Sequence, residues 1–281
     1  EPEFARQFYT VPTLKQNEAF EWTRQTSESV WAVKYEHGEV LEKQIDKVEL
    51  FKPHPVYETS GEFYSGDEEA LIEWCRQWWD KSQTLDVQVK YDGLRFLIHK
   101  DGDKVELYTS DTLTARAEIL RSLADEFRKI PAKQAIIDAE LVEYPSLPWR
   151  GKEPKPRYQM VWMSSASSYD DVADREKNVV AFCHDITLYE SENVSPQGYA
   201  ARLATLRKAI GNSSDRIVVA DTWEAKDEKS LMEALEKAKA FPGSEGAMLK
   251  ASDFPYKVAG ANQGVAKYKI VTEIDCLIIG Y

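Results

Sequence analysis

The chain has 281 residues, of which 43% are hydrophobic and 30% charged, a composition typical of a soluble globular protein with one large domain or a domain and a smaller attachment. No stretch reaches the roughly 20 apolar residues that span a membrane, and no secretory pattern opens the sequence, so we expect no membrane partner. The formal net charge of −12 counts against nucleic-acid binding unless a basic cleft lies within the acidic surface.

The cysteines Cys75, Cys183 and Cys276 show no framework spacing. An odd number without such spacing argues against a disulfide scaffold and fits a reducing compartment. We therefore expect an intracellular protein, nuclear or cytoplasmic. The histidines are scattered and form no pair with zinc-ligand spacing.

Residues 1–82 differ in pattern from the rest and are interpreted as an N-terminal extension or small subdomain. Apolar residues at helical spacing predict an amphipathic helix over residues 69–80. Its apolar face includes Trp74, Trp78 and Trp79. So much aromatic area predicts core packing rather than an exposed binding platform. We therefore expect residues 1–82 to pack on the domain that follows.

From residue 83 onward, strands alternate with helices. Asp101-Gly102 predicts a hairpin turn between two of the strands, and the polar residues 164–177 predict an exposed loop or insertion. Many strands joined by hairpins, with clustered helices, predict an α+β fold with largely antiparallel sheets. The predicted strands are 85–89, 96–99, 105–108, 135–137, 179–182, 217–220, 247–249, 265–270 and 276–279, and the predicted helices are 114–129, 199–210 and 230–240.

The hexapeptide KYDGLR, at residues 90–95, follows the first of these strands. A lysine at the end of an apolar strand, near other cations, can have a lowered pKa and act as a nucleophile. Its attack on the α-phosphate of a nucleotide would give a lysyl phosphoramidate. The same six residues also fit an ordinary hairpin with flanking charges, so alone they leave both interpretations open.

This hexapeptide resembles the KxDGxR motif of the covalent nucleotidyltransferases, the superfamily of DNA ligases, RNA ligases and mRNA capping enzymes. The resemblance covers about residues 85–281. Its form is most similar to ATP-dependent DNA ligases, because RNA ligases more often carry Asn at the position of Arg95, although capping enzymes share the arginine. Segments similar to the superfamily's other motifs follow in the same order: DAELV at 138–142, FCHDI at 182–186, EGAMLK at 245–250, KYK at 267–269 and EIDCLIIGY at 273–281.

The resemblance implies that residues 83–281 form a nucleotidyltransferase (adenylation) domain. The implied fold is ATP-grasp-like and α+β, with two largely antiparallel sheets flanked by helices and a nucleotide cleft between them. Lys90 would be the catalytic residue that takes AMP from ATP, with Mg²⁺ as the metal. The sequence stops near the point where ligases continue into an OB-fold domain, so the resemblance implies that this domain is absent from the 281 residues.

The motifs also imply roles for single residues. Glu140 would contact the ribose, and Glu140 and Glu245 offer the hard oxygen ligands that suit Mg²⁺. Arg95 would hold a ribose hydroxyl or a phosphate with its fixed fork of donors. The full set of residues assigned to nucleotide binding is Gln88, Arg95, Glu140, Phe182, His184, Lys250, Lys267 and Lys269.

Three positions depart from the ligase pattern. Gln88 replaces the usual glutamate, and its amide can accept a hydrogen bond from the amino group of adenine but can also donate one. Ser110 lies where ligases carry an arginine, so one phosphate- or ribose-binding arginine is missing. His184 occupies the base-stacking position, usually Phe or Tyr, and Phe182 lies two residues earlier on the same strand face as a substitute.

The sequence therefore predicts the adenylation domain of an ATP-dependent DNA ligase, a monomer that acts on nicked DNA. An RNA ligase or a capping guanylyltransferase is the alternative within the same fold. A non-catalytic domain that binds nucleotide or protein is the alternative from another class, and the three departures support it. The presence of Lys90, Glu140 and Glu245 favours the enzyme, because an inactive descendant would be free to lose them.

Overall fold

The structure is a computed structural model that describes residues 20–26, 29–36, 39–40, 56–57, 68–81, 83–110, 112–212, 214–256 and 262–270. The predicted strand at 276–279, the motif at 273–281 and Cys276 lie outside the described residues. The described segments before residue 68 are the strands β1 (Phe20–Thr26), β2 (Ser29–Glu36), β3 (Glu39–Val40) and β4 (Val56–Tyr57), of which β1, β2 and β3 form an antiparallel sheet.

Helix α1 (Glu68–Trp79) confirms the amphipathic helix predicted over residues 69–80. It buries Leu71, Trp74, Cys75 and Trp78, which join the same apolar core as the sheets that follow. Trp74 and Trp78 are thus core residues, as their area predicts, and the partly buried Trp79 packs against the same core. Helix α1 lies before the predicted domain boundary between residues 82 and 83 but packs into the same core as the residues after it. The boundary therefore stays a prediction.

The remaining elements confirm the α+β class. In chain order they are β5 (Leu85–Tyr91), β6 (Leu94–Asp101), β7 (Lys104–Thr109), α2 (Arg121–Arg128), β8 (Gln134–Glu143), α3 (Arg157–Met160), α4 (Trp162–Ser165), α5 (Ala173–Glu176), β9 (Val179–Tyr189), β10 (Glu192–Asn193), α6 (Tyr199–Ile210), β11 (Ile217–Val219), β12 (Thr222–Ala225), α7 (Glu228–Lys239), β13 (Ser244–Ala251) and β14 (Asn262–Lys269).

Two larger sheets hold these strands. The six-stranded sheet has the order β10-β9-β8-β6-β7, with β11 beside β9, and the five-stranded sheet has the order β12-β5-β13-β14-β4. Their pairings are antiparallel except for β11 with β9 and β4 with β14. The prediction of largely antiparallel sheets is confirmed.

The two sheets pack on each other through a shared apolar core. Tyr91 of the five-stranded sheet stacks on Phe182 of the six-stranded sheet, with ring centroids 3.9 Å apart. Helix α7 adds Leu231 and Leu235 to this core. No helix in the described part of the chain is long and apolar enough to cross a membrane.

The hexapeptide at residues 90–95 passes from one sheet to the other and is not a hairpin. Its Lys90 end belongs to β5, which pairs with β12 and β13, whereas its Arg95 end belongs to β6, which pairs with β7 and β8. A side chain at Gly93 would overlap the carbonyl oxygen of Leu141 on β8. Glycine is therefore needed where the chain crosses closely between the sheets.

Two sequence predictions need correction. The helix predicted over residues 114–129 begins only at Arg121, because the Glu106 carboxylate accepts hydrogen bonds from the backbone N–H groups of Arg116, at 3.0 Å, and Ala117, at 2.7 Å. These bonds hold the chain beside β7 in a non-helical path. The exposed loop predicted over residues 164–177 contains the short helix α5, which ends in the buried Glu176, and Glu176 accepts a hydrogen bond from Leu123 N at 2.9 Å.

Candidate active site

Lys90, the predicted nucleophile, lies near the end of β5, where β13 runs beside it. Lys90 pairs with Gly246, whereas the next residue of β5 pairs with Ser244, so Glu245 is the extra residue of a bulge. A bulge can redirect a side chain out of the regular ladder. Here the Glu245 carboxylate forms an ion pair with the Lys90 ammonium. The bulge brings the predicted nucleophile and a predicted metal ligand together.

Charges from both sheets act on Lys90. Burial lowers the pKa of its ammonium to about 8, the Glu140 carboxylate opposes this shift, and the nearby Lys269 and Lys267 reinforce it. Burial disfavours the charged form of a lysine, and neighbouring cations act in the same direction. A larger fraction of Lys90 is therefore neutral and nucleophilic near neutral pH than for an exposed lysine.

Lys267 and Lys269 lie two residues apart on β14, so their side chains leave the same face of that strand. Lys269 pairs with Gly246 and Lys267 with Met248 across β13. Gly246 has φ +136°, and a side chain there would overlap the carbonyl oxygen of Tyr268. This glycine lets β13 and β14 approach closely enough to hold the two lysines beside Lys90.

Glu140 lies on β8, opposite Arg95 of β6. Burial raises the pKa of its carboxyl to about 7, although the charges of Lys90, Arg95 and Arg157 oppose the shift. When burial makes a carboxylate costly to ionise, a further cation stabilises its ionised form. This electrostatic environment suits a metal ligand.

The cleft offers Mg²⁺ the carboxylates of Glu140 and Glu245. The described residues contain no cluster of three or more His, Cys, Asp or Glu side chains that could hold a metal. Mg²⁺ usually takes one or two carboxylates and completes its shell with water and substrate phosphates. Glu140 and Glu245, both near Lys90, match a magnesium ion shared with a nucleotide and do not match an all-protein cage.

Gln88 lies on the same face of β5 as Lys90, two residues earlier, and is buried. Its Nε2 donates hydrogen bonds to the Tyr199 hydroxyl at 2.9 Å and to Thr222 Oγ1 at 3.1 Å. These two bonds fix the orientation of the amide group.

Arg95 faces the buried carboxylate of Asp138 and binds both of its oxygens, with Nε 2.9 Å from Oδ1. The Tyr256 hydroxyl donates to Asp138 Oδ2 at 2.9 Å. Burial alone would raise the pKa of Asp138, but Arg95 and His184 outweigh it and hold that pKa well below its usual range. Arg95 is therefore oriented by a charged partner, as a ligand-binding arginine requires.

His184, one of the two candidate stacking residues, is half-buried on β9. Its Nε2 lies 3.3 Å from Asp138 Oδ1. Burial lowers the pKa of the ring to about 4, and the opposing charge of Asp138 is not enough to restore it. At neutral pH the ring is therefore an uncharged imidazole, the form that can stack on a base.

Phe182, the other candidate, lies in the core. Its side chain has 0% exposure, and its ring also meets Trp149 edge-to-face at 5.1 Å and Phe241 at 6.0 Å. Its stacking partner Tyr91 follows Lys90 directly in β5, so this stack lies on the opposite face of that strand from Lys90. The structure groups His184, and not Phe182, with the polar residues of the site.

Lys250 is almost fully buried, at 6% exposure. Its Nζ donates to the His184 carbonyl at 2.9 Å and lies 4.3 Å from the centre of the Tyr199 ring. Burial lowers its pKa to about 8, and the charge of Asp185 opposes the shift. The structure thus places Lys250 behind His184, where it supports that residue's backbone.

The structure brings together nine of the ten predicted site residues and leaves Phe182 apart in the core. The sequence interpretation missed the residues that orient them. Asp138 could have been found, because it stands two residues before Glu140 and shares its strand face. Tyr256, Tyr199 and Thr222 carry no motif and come from distant segments, so only the fold reveals them.

A family model described as "ATP dependent DNA ligase domain" matches residues 71–269. The chain belongs to this family. Among curated relatives, it is 26% identical over 204 residues to a "Probable DNA ligase" of Streptomyces griseus, covering 71% of this chain and 38% of the relative. It is 27% identical over 202 residues to a "DNA ligase" of Thermococcus fumicolans, covering 69% and 34%. The chain thus spans little more than a third of these relatives.

Solved structures similar to the ligase-family chain include "mycobacterial DNA ligase D complexed with ATP and MES", at 20% identity and a TM-score of 0.46, covering 67% of this chain and 55% of that one. Another is a Lig E DNA ligase described as "DNA binding with a minimal scaffold", at 22% identity and a TM-score of 0.45, covering 66% and 62%.

Proposed function

We propose that this chain is the adenylation domain of an ATP-dependent DNA ligase, in which Lys90 takes AMP from ATP in the presence of Mg²⁺. The ion pair between Lys90 and Glu245 is the observation that carries the proposal. It joins a partly desolvated lysine to a carboxylate of the EGAMLK segment. Membership of the ligase family supports the same reaction.

In this reaction the neutral Lys90 Nζ forms a bond to the α-phosphorus of ATP. The bond from that phosphorus to the oxygen bridging toward the β-phosphorus breaks, and pyrophosphate leaves. The attacking nitrogen passes one of its protons to water and becomes the nitrogen of a phosphoramidate. Lys267 and Lys269 stabilise the negative charge on the phosphate oxygens. Mg²⁺, held by Glu140 and Glu245, would neutralise further phosphate charge.

The AMP on Lys90 would then pass to the 5′-phosphate of nicked DNA, and a 3′-hydroxyl would displace it to seal the nick. RNA is the alternative substrate. We infer that the domain covers residues 83–281, that residues 1–82 pack on it, that it acts as a monomer inside the cell, and that an OB-fold domain is its partner in sealing. The burial of α1 in the shared core supports the packing of the extension.

The test is intact-mass measurement after incubation with ATP and Mg²⁺. The wild-type chain should gain the mass of one AMP moiety, and peptide mapping should place it on Lys90. Lys90→Ala should gain none, whereas Lys229→Ala, which removes an exposed lysine of α7, should be labelled like the wild type. An adduct that persists in Lys90→Ala, or a wild-type chain that forms none, would contradict the proposal.

A further inference from the structure

The segment between β8 and β9, residues 144–178, is anchored at the end of β8 by a buried carboxylate. Glu143 has 0% exposure and accepts hydrogen bonds from Lys155 Nζ at 2.6 Å, Trp162 Nε1 at 2.8 Å and Arg175 Nε at 3.0 Å. The backbone N–H of Lys155 also donates to the Glu143 carbonyl at 2.8 Å. Three contacts from separate parts of the segment fix its position relative to β8.

The same segment also reaches the strand that carries Glu245. A side chain added at Gly243 would overlap the ring of Pro154, so Pro154 packs directly on the residue that precedes β13. Residues 154 and 155 therefore join the start of β13 to the end of β8. Glu245 lies near that start of β13, and Glu140 lies near that end of β8.

Arg157 begins α3, two residues after Lys155, and is exposed. Its guanidinium makes no hydrogen bond or ion pair with any residue that the structure describes. Arg157 follows Pro154 and Lys155 closely in the chain, so the contacts of those two residues with Gly243 and Glu143 hold it beside the start of β13 and the end of β8. The fold thus holds the Arg157 charge at the rim of the cleft, where it is not paired with an acidic residue that the structure describes.

We propose that Arg157 binds a phosphate group of the substrate at this rim. The inference rests on the proposed function, since it concerns the same cleft. A guanidinium can bind two phosphate oxygens at once through parallel hydrogen bonds. Lys90, Lys267 and Lys269 approach from the five-stranded sheet, whereas Arg157 extends from the end of the six-stranded sheet, so a phosphate between them would be held from both sides.

Two substrates bring a phosphate to this place, the triphosphate of ATP and the 5′-phosphate of a nick. Equilibrium binding distinguishes them and needs no chemical step, so it is measured on the whole chain carrying Lys90→Ala. One arm compares ATP with adenosine in the presence of Mg²⁺. The other compares nicked duplex DNA with a 5′-phosphate to the same duplex with a 5′-hydroxyl.

Arg157→Gln should weaken binding of at least one phosphate-bearing ligand by about ten-fold, as expected for loss of a charge-assisted hydrogen bond. Adenosine and the 5′-hydroxyl duplex should bind as before. Arg157→Lys keeps the charge and should lose less affinity for the same ligand. Arg207→Gln, which removes an exposed arginine of α6, should leave the affinity for ATP and for nicked DNA unchanged. The arm that responds identifies the phosphate.

Unchanged binding of both phosphate-bearing ligands in Arg157→Gln would overturn the proposal, as would equal losses with Arg207→Gln or no measurable binding by the reference chain. The proposed function is judged separately, by whether Lys90 becomes labelled. If Lys90 is adenylated but Arg157→Gln leaves the affinity for both ligands unchanged, the proposed function stands and the role of Arg157 is wrong.

Discussion

The side-chain amide of Gln88 donates to the hydroxyl of Tyr199 across the interface between β5 and α6. Its second N–H is used by Thr222. A carboxamide has two N–H donors and one carbonyl oxygen, so both donors are consumed within the protein. No residue that the structure describes donates to Gln88 Oε1. The two N–H groups are thus committed to Tyr199 and Thr222, which leaves the amide oxygen to accept from a ligand and favours the acceptor role at this position.

The first prediction follows from this acceptor. ATP should bind more tightly than GTP, because Gln88 Oε1 can accept from the amino group of adenine but opposes the carbonyl oxygen of guanine. Gln88→Ala should reduce the preference by about ten-fold, the scale of one specific hydrogen bond. Competition between the two nucleotides for adduct formation measures it. Gln88→Glu keeps an acceptor and should keep the preference, and a wild-type chain that favours GTP would contradict the assignment.

The second prediction separates the two candidate stacking residues. His184→Ala should weaken ATP binding by about ten-fold, since stacking on an aromatic ring contributes roughly 1–3 kcal/mol per base. His184→Phe supplies a larger ring and should restore it. Phe182→Leu should instead lower the free energy of unfolding and leave the nucleotide affinity of the folded protein unchanged, because Phe182 is a core residue. The opposite pattern of affinities would assign the stacking role to Phe182.

The third prediction concerns the anchor of residues 144–178. Glu143→Gln should lower the free energy of unfolding by about 1–3 kcal/mol, because a neutral amide cannot satisfy Lys155 and Arg175 as the buried carboxylate does. Urea denaturation measures the loss, and limited proteolysis should show faster cleavage within 144–178. Asp174→Asn removes a fully exposed partner of Lys177 and should change little. Equal proteolysis of the two variants would reject the anchoring role.

The fourth prediction concerns acid stability. Arg202 donates to both oxygens of Asp185, at 2.8 Å and 3.0 Å. Burial alone would raise the pKa of Asp185, but Arg202 and Lys250 outweigh it and lower that pKa below its ordinary value. A group whose pKa is lower in the folded state stabilises the fold above its unfolded pKa of about 3.9, and the contribution is lost as pH falls below that value.

Asp185→Asn should therefore cost about 3–5 kcal/mol at pH 7, because it leaves the buried Arg202 without its charged partner. Its deficit relative to the wild type should shrink as pH falls below about 4. Urea unfolding at neutral and acidic pH measures both. A deficit that stays constant down to the acid transition would mean that the Asp185 pKa is not lowered.

Sequence reasoning was most successful where a local pattern carried the information. Helix α6 was predicted over residues 199–210, where the structure places Tyr199–Ile210, and the hairpin of β6 and β7 follows from its turn residues. The motif lysines and glutamates could be proposed from the sequence because their spacing within each segment is short. Residues that act through distant partners could not be proposed, since the bond between Asp138 and Tyr256 depends on how the segment after β13 meets β8.

Local patterns were misleading where a tertiary contact overrides them. Apolar periodicity extends the predicted helix back to residue 114. The Glu106 carboxylate, however, accepts hydrogen bonds from the backbone N–H groups of Arg116 and Ala117. Phe182 and His184 look equivalent as alternating residues of one strand. A register shift between β8 and β9 near Cys183 and Asp185, together with the aromatic core, separates their environments.

The pairing of β5 sets the order in which the protein can assemble during its synthesis. β5 is bordered by β12 and β13, both of which lie far later in the chain, and β13 is completed by β14. A nascent chain can already join β6, β7, β8 and β9 into the sheet that carries Arg95 and Glu140 while β5 still lacks both neighbours. Lys90 leaves the ribosome before Arg95 and Glu140. Its surroundings are nevertheless completed last, once Lys269 has been translated.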